Sequence, residues 1–373
     1  MILRKRQITA TAVAIAAALV LAACGSSNSS SSAPAPGGSS SSSSSSSGGS
    51  GTISGAGSTF AAPIYMQWGS TLKGQGLTVN FNAVGSGAGV AQLQSATVDF
   101  AGSDPAMKPD EVKAAKGPVA QFPIGFGAIT VSYNLSGIKS GIKLDGKTLG
   151  DIFLGKVKKW NDPEIAALNS GMSLPSTAIT VVHRSDSSGT TKAFTTFLSA
   201  YNPAWTAAAG MPDKIVKWPV GTGAKGNSGV AAAIKQTAGG IGYVEQAYAL
   251  QNGFTYASVK NSSGKFIAPT LAAASAAAEG IKVPPDLTIS TINSPNPTAY
   301  PITSQTFVIV YKDMCKAGVS QAAASGVKKF LDYGLGAGQA VEKQLFYAPL
   351  PASLLSKAQA QLKTLTCNGS PLQ

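Results

Sequence analysis

The stretch Val181-Val182-His183-Arg184-Ser185-Asp186-Ser187-Ser188-Gly189-Thr190 runs from an apolar strand pattern into a hydroxyl-rich helix start, and its residue types suit the capture of an oxyanion. Phe194, Phe197, Leu198 and Tyr201 recur behind it at helical spacing, which predicts a helix beginning near Ser188. The free N–H groups and positive dipole end of such a terminus attract phosphate, sulfate or carboxylate. Arg184 adds a planar guanidinium matched to tetrahedral oxyanions. The same serines would equally serve an ordinary helix cap with no ligand.

The arrangement recurs twice. Leu77, Val79, Phe81 and Ala83 alternate as a strand, Gly85-Ser86-Gly87-Ala88-Gly89 breaks it, and Val90 with Leu93 opens a helical pattern. Earlier, Gly55-Ala56-Gly57-Ser58-Thr59-Phe60 precedes a helix with Ile64, Tyr65, Trp68 and Leu72 on one face and Pro63 in its first turn. The glycines at 85, 87 and 89 do not have the Gly-x-Gly-x-x-Gly spacing of a dinucleotide turn, and no acidic residue follows at ribose distance. A fourth element, Val98 to Asp104, reads as a short strand that leaves the Asp104 carboxylate beyond its carboxyl end, where ligands bind in open α/β sheets. An ionised Asp repels a fully deprotonated oxyanion but accepts a hydrogen bond from one that keeps a proton. Asp104 is thus a candidate device for choosing phosphate over sulfate, with a solvated turn residue as the alternative.

With these segments in order the chain resembles the phosphate-binding lipoproteins that serve bacterial phosphate ABC importers, a family with the class II periplasmic-binding-protein fold. The resemblance runs through Gly55 to Pro63, Gly85-Ser86-Gly87, Val98 to Asp104, Leu144 to Ile152, Arg184 to Thr190, Lys217 to Gly221, Gly240 to Glu245 and Pro301 to Ser304, and covers nearly all of residues 52–373. It implies an α/β, two-lobed fold with the ligand in the cleft, lobe one formed by residues 52–133 plus 298–373 and lobe two by 134–297. It further implies that Thr59, the backbone of Phe60 and Ser86 bind phosphate and that Asp104 accepts the ligand proton. Arg184 would supply the charged donor, Asp186 would hold Arg184, and Ser188, Gly189 and Thr190 would supply hydroxyl and backbone donors. The partners implied are inorganic phosphate and the permease and ATPase of an ABC transporter, with the protein a monomer. His183 stands where relatives often carry Arg, and Ser185 and Ser187 vary; neither change removes a ligand group.

Enzymatic readings find little support in the residue types. The chain has a single histidine, His183, with no His-x-x-x-His or Cys-x-x-Cys companion, so no metal site, no cofactor and no catalytic triad is expected. Gly221-Thr222-Gly223-Ala224-Lys225-Gly226-Asn227 imitates a nucleotide loop with the wrong spacing and no Ser or Thr after its lysine. A binding protein for another oxyanion and an envelope hydrolase of phosphate esters stand as the alternatives.

The elements that carry these residues are expected outside the cytoplasm. Arg4, Lys5 and Arg6 precede an apolar run from Ile8 to Ala23, shorter than the roughly 20 residues that span a bilayer, so residues 1–23 read as an export signal. Leu21-Ala22-Ala23-Cys24 resembles a lipoprotein box, which would make Cys24 the lipidated first residue and anchor the protein to the cell membrane. Residues 24–51 are almost wholly Ser and Gly, a tether with a reach on the order of 30 Å.

Of three cysteines, lipidation would use Cys24 and leave Cys315 and Cys367 as an even pair; a disulfide between them would stabilise by roughly 4 kcal/mol in the chain-entropy model, two buried thiols being the alternative. Cys315 follows an apolar strand, Thr306 to Tyr311, and Cys367 is expected to end a helical segment that starts near Pro351. Residues 52–373 exceed one comfortable core and alternate strand with helix, which points to two α/β lobes. The apolar strands Ala128 to Tyr133 and Thr306 to Tyr311 are each expected after a Pro-containing turn, and the resemblance implies that they form the crossover between lobes. Asp162-Pro163 reads as a helix start above Trp160, and Lys156, Lys158 and Lys159 as a solvated face. The net charge of +13 lacks the aromatic-basic alternation of nucleic-acid binders, and nucleic acid is excluded as a partner.

Overall fold

Strand and helix alternate because each period-two apolar run is followed, after a small-residue turn, by an apolar stripe at helical spacing. The computed structural model describes residues 51–373. The expectations for the export signal 1–23, for Cys24 and for the 24–51 tether, apart from Gly51, therefore lie outside the described residues. No described helix is long and apolar enough to cross a membrane.

A nine-stranded sheet organises the molecule. Its strands are β1 (Gly51–Gly57), β2 (Leu77–Asn82), β3 (Phe100–Ser103), β4 (Val119–Tyr133), β5 (Thr180–Arg184), β6 (Thr222–Ala224), β7 (Gly240–Glu245), β8 (Thr255–Tyr256) and β9 (Thr303–Tyr311). The spatial order is β2-β1-β3-β9-β4-β7-β5-β6, with β8 beside β4. At one end β1 runs parallel to β2 and β3, and at the other β5 runs parallel to β6 and β7. The long strands β9 and β4 pair antiparallel to each other and to these outer groups. The result is two parallel βα halves, the β1 half and the β5 half, hung on one antiparallel pair. Strand β4 changes partner along its length, pairing with β9 as far as Ala128 and with β7 from Ile129.

The strand containing Ala128 is longer than its sequence suggests, and Pro123 lies inside it instead of in a turn before it. The register with β9 shifts between Thr306 and Phe307, opposite Gly125 and Pro123, so Ile124 has no partner there. A bulge tolerates a residue without an N–H, which is why the proline does not end the strand. The C-terminal helix also differs from expectation. It spans Ala352–Leu362, and Cys367 belongs to a separate two-residue strand, Thr366–Cys367, which turns back through Asn368 and Gly369, both at positive φ, onto Ser370–Pro371. Asn-Gly is the pair that such a tight hairpin favours. Cys367 is bonded to Cys315 across 52 residues, which fastens the chain end beside the end of β9.

Each strand of the outer groups delivers the chain into a helix: α1 (Ala62–Lys73) after β1, α2 (Ser86–Gln94) after β2, α3 (Pro109–Lys113) after β3, α4 (Gly189–Tyr201) after β5, α5 (Gly226–Gln236) after β6 and α6 (Gln246–Gln251) after β7. The β1 half packs Tyr65, Trp68 and Phe100 against Phe330, with Phe81 against Tyr65 at a ring-centroid distance of 4.5 Å. The β5 half packs Phe153, Phe194, Trp218 and Tyr243, with Phe194 and Tyr243 stacked at 4.4 Å. Truncating one such buried ring costs about 3–5 kcal/mol, so each half is held by its own aromatic centre. Trp160 is buried, its indole N–H donating to the Gly239 carbonyl at 3.1 Å, Asp162 caps the helix Pro163–Leu168, and Lys156, Lys158 and Lys159 are exposed.

Candidate functional site

The starts of α1, α2, α4 and α5 converge where the two halves meet. Ser188 caps α4, its Oγ accepting the N–H of Thr191 at 3.1 Å, so the first-turn N–H groups of Gly189 and Thr190 have no intrahelical acceptor. Gly85, at φ +97°, precedes Ser86, the first residue of α2. A side chain at Gly85 would meet the Asp186 carboxylate at 2.4 Å, so glycine satisfies both the turn and the contact between halves. Gly189 is still more confined: a Cβ there would fall 1.2 Å from the Asp104 carbonyl oxygen.

Arg184 ends β5 and is buried at 3 % exposure. Its Nε donates to Asp186 Oδ1 at 2.7 Å, a second guanidinium nitrogen donates to Oδ2, and Nη1 donates to Thr190 Oγ1 at 3.3 Å. Burial pushes the Asp186 carboxyl up, but the hydrogen bonds and charge of Arg184 outweigh it and hold the group below its usual value. The pair is a fixed fork of donors whose cation is already matched by an anion.

Asp104 faces this fork from the end of β3 and is 1 % exposed. Its carboxylate accepts from the hydroxyls of Ser58, Thr306 (3.1 Å) and Ser86 (3.3 Å), and its own N–H donates to Ser86 Oγ at 3.2 Å. Burial raises its pKa, against the hydroxyl bonds and the charge of Arg184. A carboxylate desolvated in this way gains from contact with a proton on a ligand oxygen and loses from contact with a bare oxyanion.

Thr59 stands at the entrance to α1, and its Oγ1 accepts from the N–H of Asn227 at 3.2 Å and from Asn227 Nδ2 at 2.9 Å. Nδ2 also donates to Thr190 Oγ1 at 3.3 Å, while Oδ1 accepts the N–H of Glu245 at 3.0 Å, which fixes the amide orientation. The carbonyls of Thr59 and Phe60 are held by the hydroxyls of Tyr248 and Tyr347, each at 2.6 Å. The Tyr347 hydroxyl oxygen also lies 2.8 Å from Oε2 of Glu245, whose carboxyl is pushed well above its usual value by complete burial.

Thr59, Phe60, Ser86, Asp104, Arg184, Asp186, Ser188, Gly189 and Thr190 thus lie in one buried cluster, with only Asp186 partly exposed. Sequence reasoning missed Ser58, Asn227, Thr306, Tyr248 and Tyr347. Asn227 carried a usable signal, since Gly226-Asn227-Ser228-Gly229 ahead of Val230 and Ile234 has the same small-polar, apolar-periodic form as the other helix starts. Thr306, Tyr248 and Tyr347 carried none, because only the sheet order and chain return bring them here. His183 is stacked on Trp218 at 4.6 Å, half-buried, with its pKa pushed down by burial, and its Nδ1 meets the Arg184 carbonyl at 3.0 Å. Among the described residues no group of three or more His, Cys, Asp or Glu could hold a metal ion.

The family model of the PBP superfamily domain matches residues 42–337. The phosphate-binding protein PstS of Pasteurella multocida is 42% identical over 317 residues, covering 84% of this chain and 90% of the relative. That of Haemophilus influenzae is 40% identical over 319 residues, covering 84% and 93%. A periplasmic phosphate-binding protein solved with phosphate, PfluDING, superposes with a TM-score of 0.68 at 24% identity, covering 83% of this chain and 93% of its own. The phosphate-binding protein from Stenotrophomonas maltophilia gives 0.66 at 20% identity, covering 83% and 93%. At these identities the two structures bear on the fold, which is the two-lobed periplasmic-binding-protein fold.

Proposed function

The chain belongs to the PstS phosphate-binding proteins of the PBP superfamily, and from that premise we propose that it captures inorganic phosphate outside the cytoplasm and hands it to an ABC-type importer. It is a solute receptor of a non-enzymatic class. The observation that carries the reading is the convergence of four helix starts on a buried, ion-paired Arg184 from one half and, from the other, Asp104, a carboxylate whose pKa burial raises.

In this reading Thr59, the Phe60 backbone and Ser86 hold phosphate from the β1 half. Arg184, Ser188, Gly189 and Thr190 hold it from the β5 half, and Asp186 orients Arg184 and tempers its charge. Asp104 accepts the ligand proton, which sulfate lacks. The lobes are residues 52–133 plus 298–373 and residues 134–297, and phosphate bridges them and favours closure. Residues 1–23 direct export, Cys24 carries the lipid that anchors a monomer to the membrane, and the 24–51 tether lets the folded body work away from it.

The test is calorimetry with inorganic phosphate and with sulfate on protein unfolded and refolded to strip carried-over ligand. One-to-one phosphate binding with no sulfate heat is expected. Equal binding of sulfate would overturn the role given to Asp104, and a folded protein that binds neither would overturn the receptor reading.

A further inference from the structure

The two halves meet a second time, away from the oxyanion site, through ion pairs of opposite polarity. Lys108, beside α3 in the β1 half, donates to Asp213 of the β5 half at 2.5 Å. Glu111 of α3 accepts from Lys214 at 2.8 Å to Oε1 and 3.1 Å to Oε2. The Lys214–Glu111 pair is largely buried, at 5 % and 22 % side-chain exposure, and the Lys108–Asp213 pair is at the rim, at 38 % and 40 %. Because each half contributes one cation and one anion, a slip by one position would bring like charges together.

Both sides are braced before they meet. Glu111 Oε2 accepts the N–H of Lys108 at 2.8 Å, and its carbonyl accepts from Gln94 Nε2 at 2.7 Å. On the other side, the Lys214 carbonyl accepts the N–H of Ser188 at 2.9 Å, and Lys192 Nζ donates to the Pro212 carbonyl at 2.6 Å. Lys192 is on α4, so the segment carrying Asp213 and Lys214 is tied to the helix turn that bears Ser188, Gly189 and Thr190.

We propose that these crossed ion pairs form a latch that holds the closed cleft and sets the rate of phosphate release, with Lys214 as a positioning residue; this rests on the phosphate-receptor reading. With the halves apart, Lys214 and Glu111 are hydrated, and pairing them returns little beyond their desolvation cost. Once a ligand has drawn the halves together the pair is dry, and removing either partner strands the other charge in the closed form. That penalty falls on dissociation, not encounter.

The test compares phosphate dissociation and association rates of the parent with those of Lys214→Met, Glu111→Gln and the reversed double variant Glu111→Lys/Lys214→Glu, alongside melting of the phosphate-free proteins. Each single variant is expected to release phosphate about tenfold faster with association little changed, and the reversal to recover most of the loss. Lys108→Ala, at the exposed pair, is expected to speed release about threefold at low salt and to lose the effect in about 1 M salt. Release at the parent rate in all variants would overturn the latch, as would an equal loss of melting temperature with and without phosphate, which marks a merely structural pair. If the parent itself fails to bind phosphate, the receptor reading fails and takes the latch with it; if the parent binds and the variants match it, the latch alone fails.

Discussion

The β1 half brings Thr59, Ser58, Ser86 and Asp104 to the cleft and no cation, whereas the β5 half brings Arg184, Ser188, Thr190 and Asn227 with Asp186 already on the arginine. Both halves use helix starts, yet their charged groups differ: one contributes an anion with a raised pKa, the other a neutralised ion pair. Taken together the ionised side chains carry no positive surplus for an incoming anion. In the proposed receptor, attraction would therefore come from oriented N–H and O–H dipoles and from the ligand's own proton, with net charge not the selecting feature. Under the proposed assignment neither half completes the shell alone, which would make recognition and closure one event.

The comparison is most exposed at Asp104. In Asp104→Asn the negative charge that repels a bare oxyanion is gone and an NH2 donor is added beside an oxygen that still accepts, so discrimination of phosphate from sulfate, on the order of 10⁴-fold for a site built around a ligand hydroxyl, is expected to collapse to about tenfold, read by calorimetric competition. Discrimination kept at the parent level would place selectivity elsewhere. Gly189→Ala attacks the junction itself, since its Cβ would overlap the Asp104 carbonyl. Affinity is expected to fall about 100-fold, with a more open shape in solution scattering and little change in melting temperature of the ligand-free protein.

Asn227→Ala removes the amide that links Thr59 to Thr190 across the halves, and roughly tenfold weaker binding is expected, with Asn227→Asp no better because the carboxylate cannot donate. The smallest effect concerns Glu342, which is fully buried with one oxygen unpartnered among the described residues and its pKa driven well above 4.5. A carboxyl whose folded pKa is raised lends stability below its unfolded value and loses it as pH rises through the folded value. Glu342→Gln is expected to flatten the fall in melting temperature as pH increases above 4.5. An unchanged pH profile would assign that slope to Glu245.

The helix starts were legible because glycine and hydroxyl residues ahead of an apolar stripe are a local signal: Ser188, Ser86 and Thr59 each sit at or just before one. The pairing of Cys315 with Cys367 followed from counting cysteines. Asn227 was passed over because its segment was compared only with a nucleotide loop, although the same local signal was present. Thr306 could not be seen, since it lies on a uniformly buried strand and reaches Asp104 only because β9 is laid beside β3. Pro123 misled for the opposite reason: a local rule, that proline ends a strand, was overridden by a bulge set by register with β9.

Strand β4 pairs with β9 from Val119 to Ala128 and with β7 from Ile129 to Tyr133, and this has a mechanical consequence. Parting the halves cannot be a swing about a slack linker, because from Val119 to Tyr133 every residue of β4 except the bulged Ile124 is paired to one neighbour or the other. It must be taken up as twist along β4 and β9, softest at the bulge opposite Thr306, and twist in paired strands returns elastically. In a receptor that closes between these halves the ladder would fix the path of the jaw, and the same paired backbone that carries both sides would be what resets it.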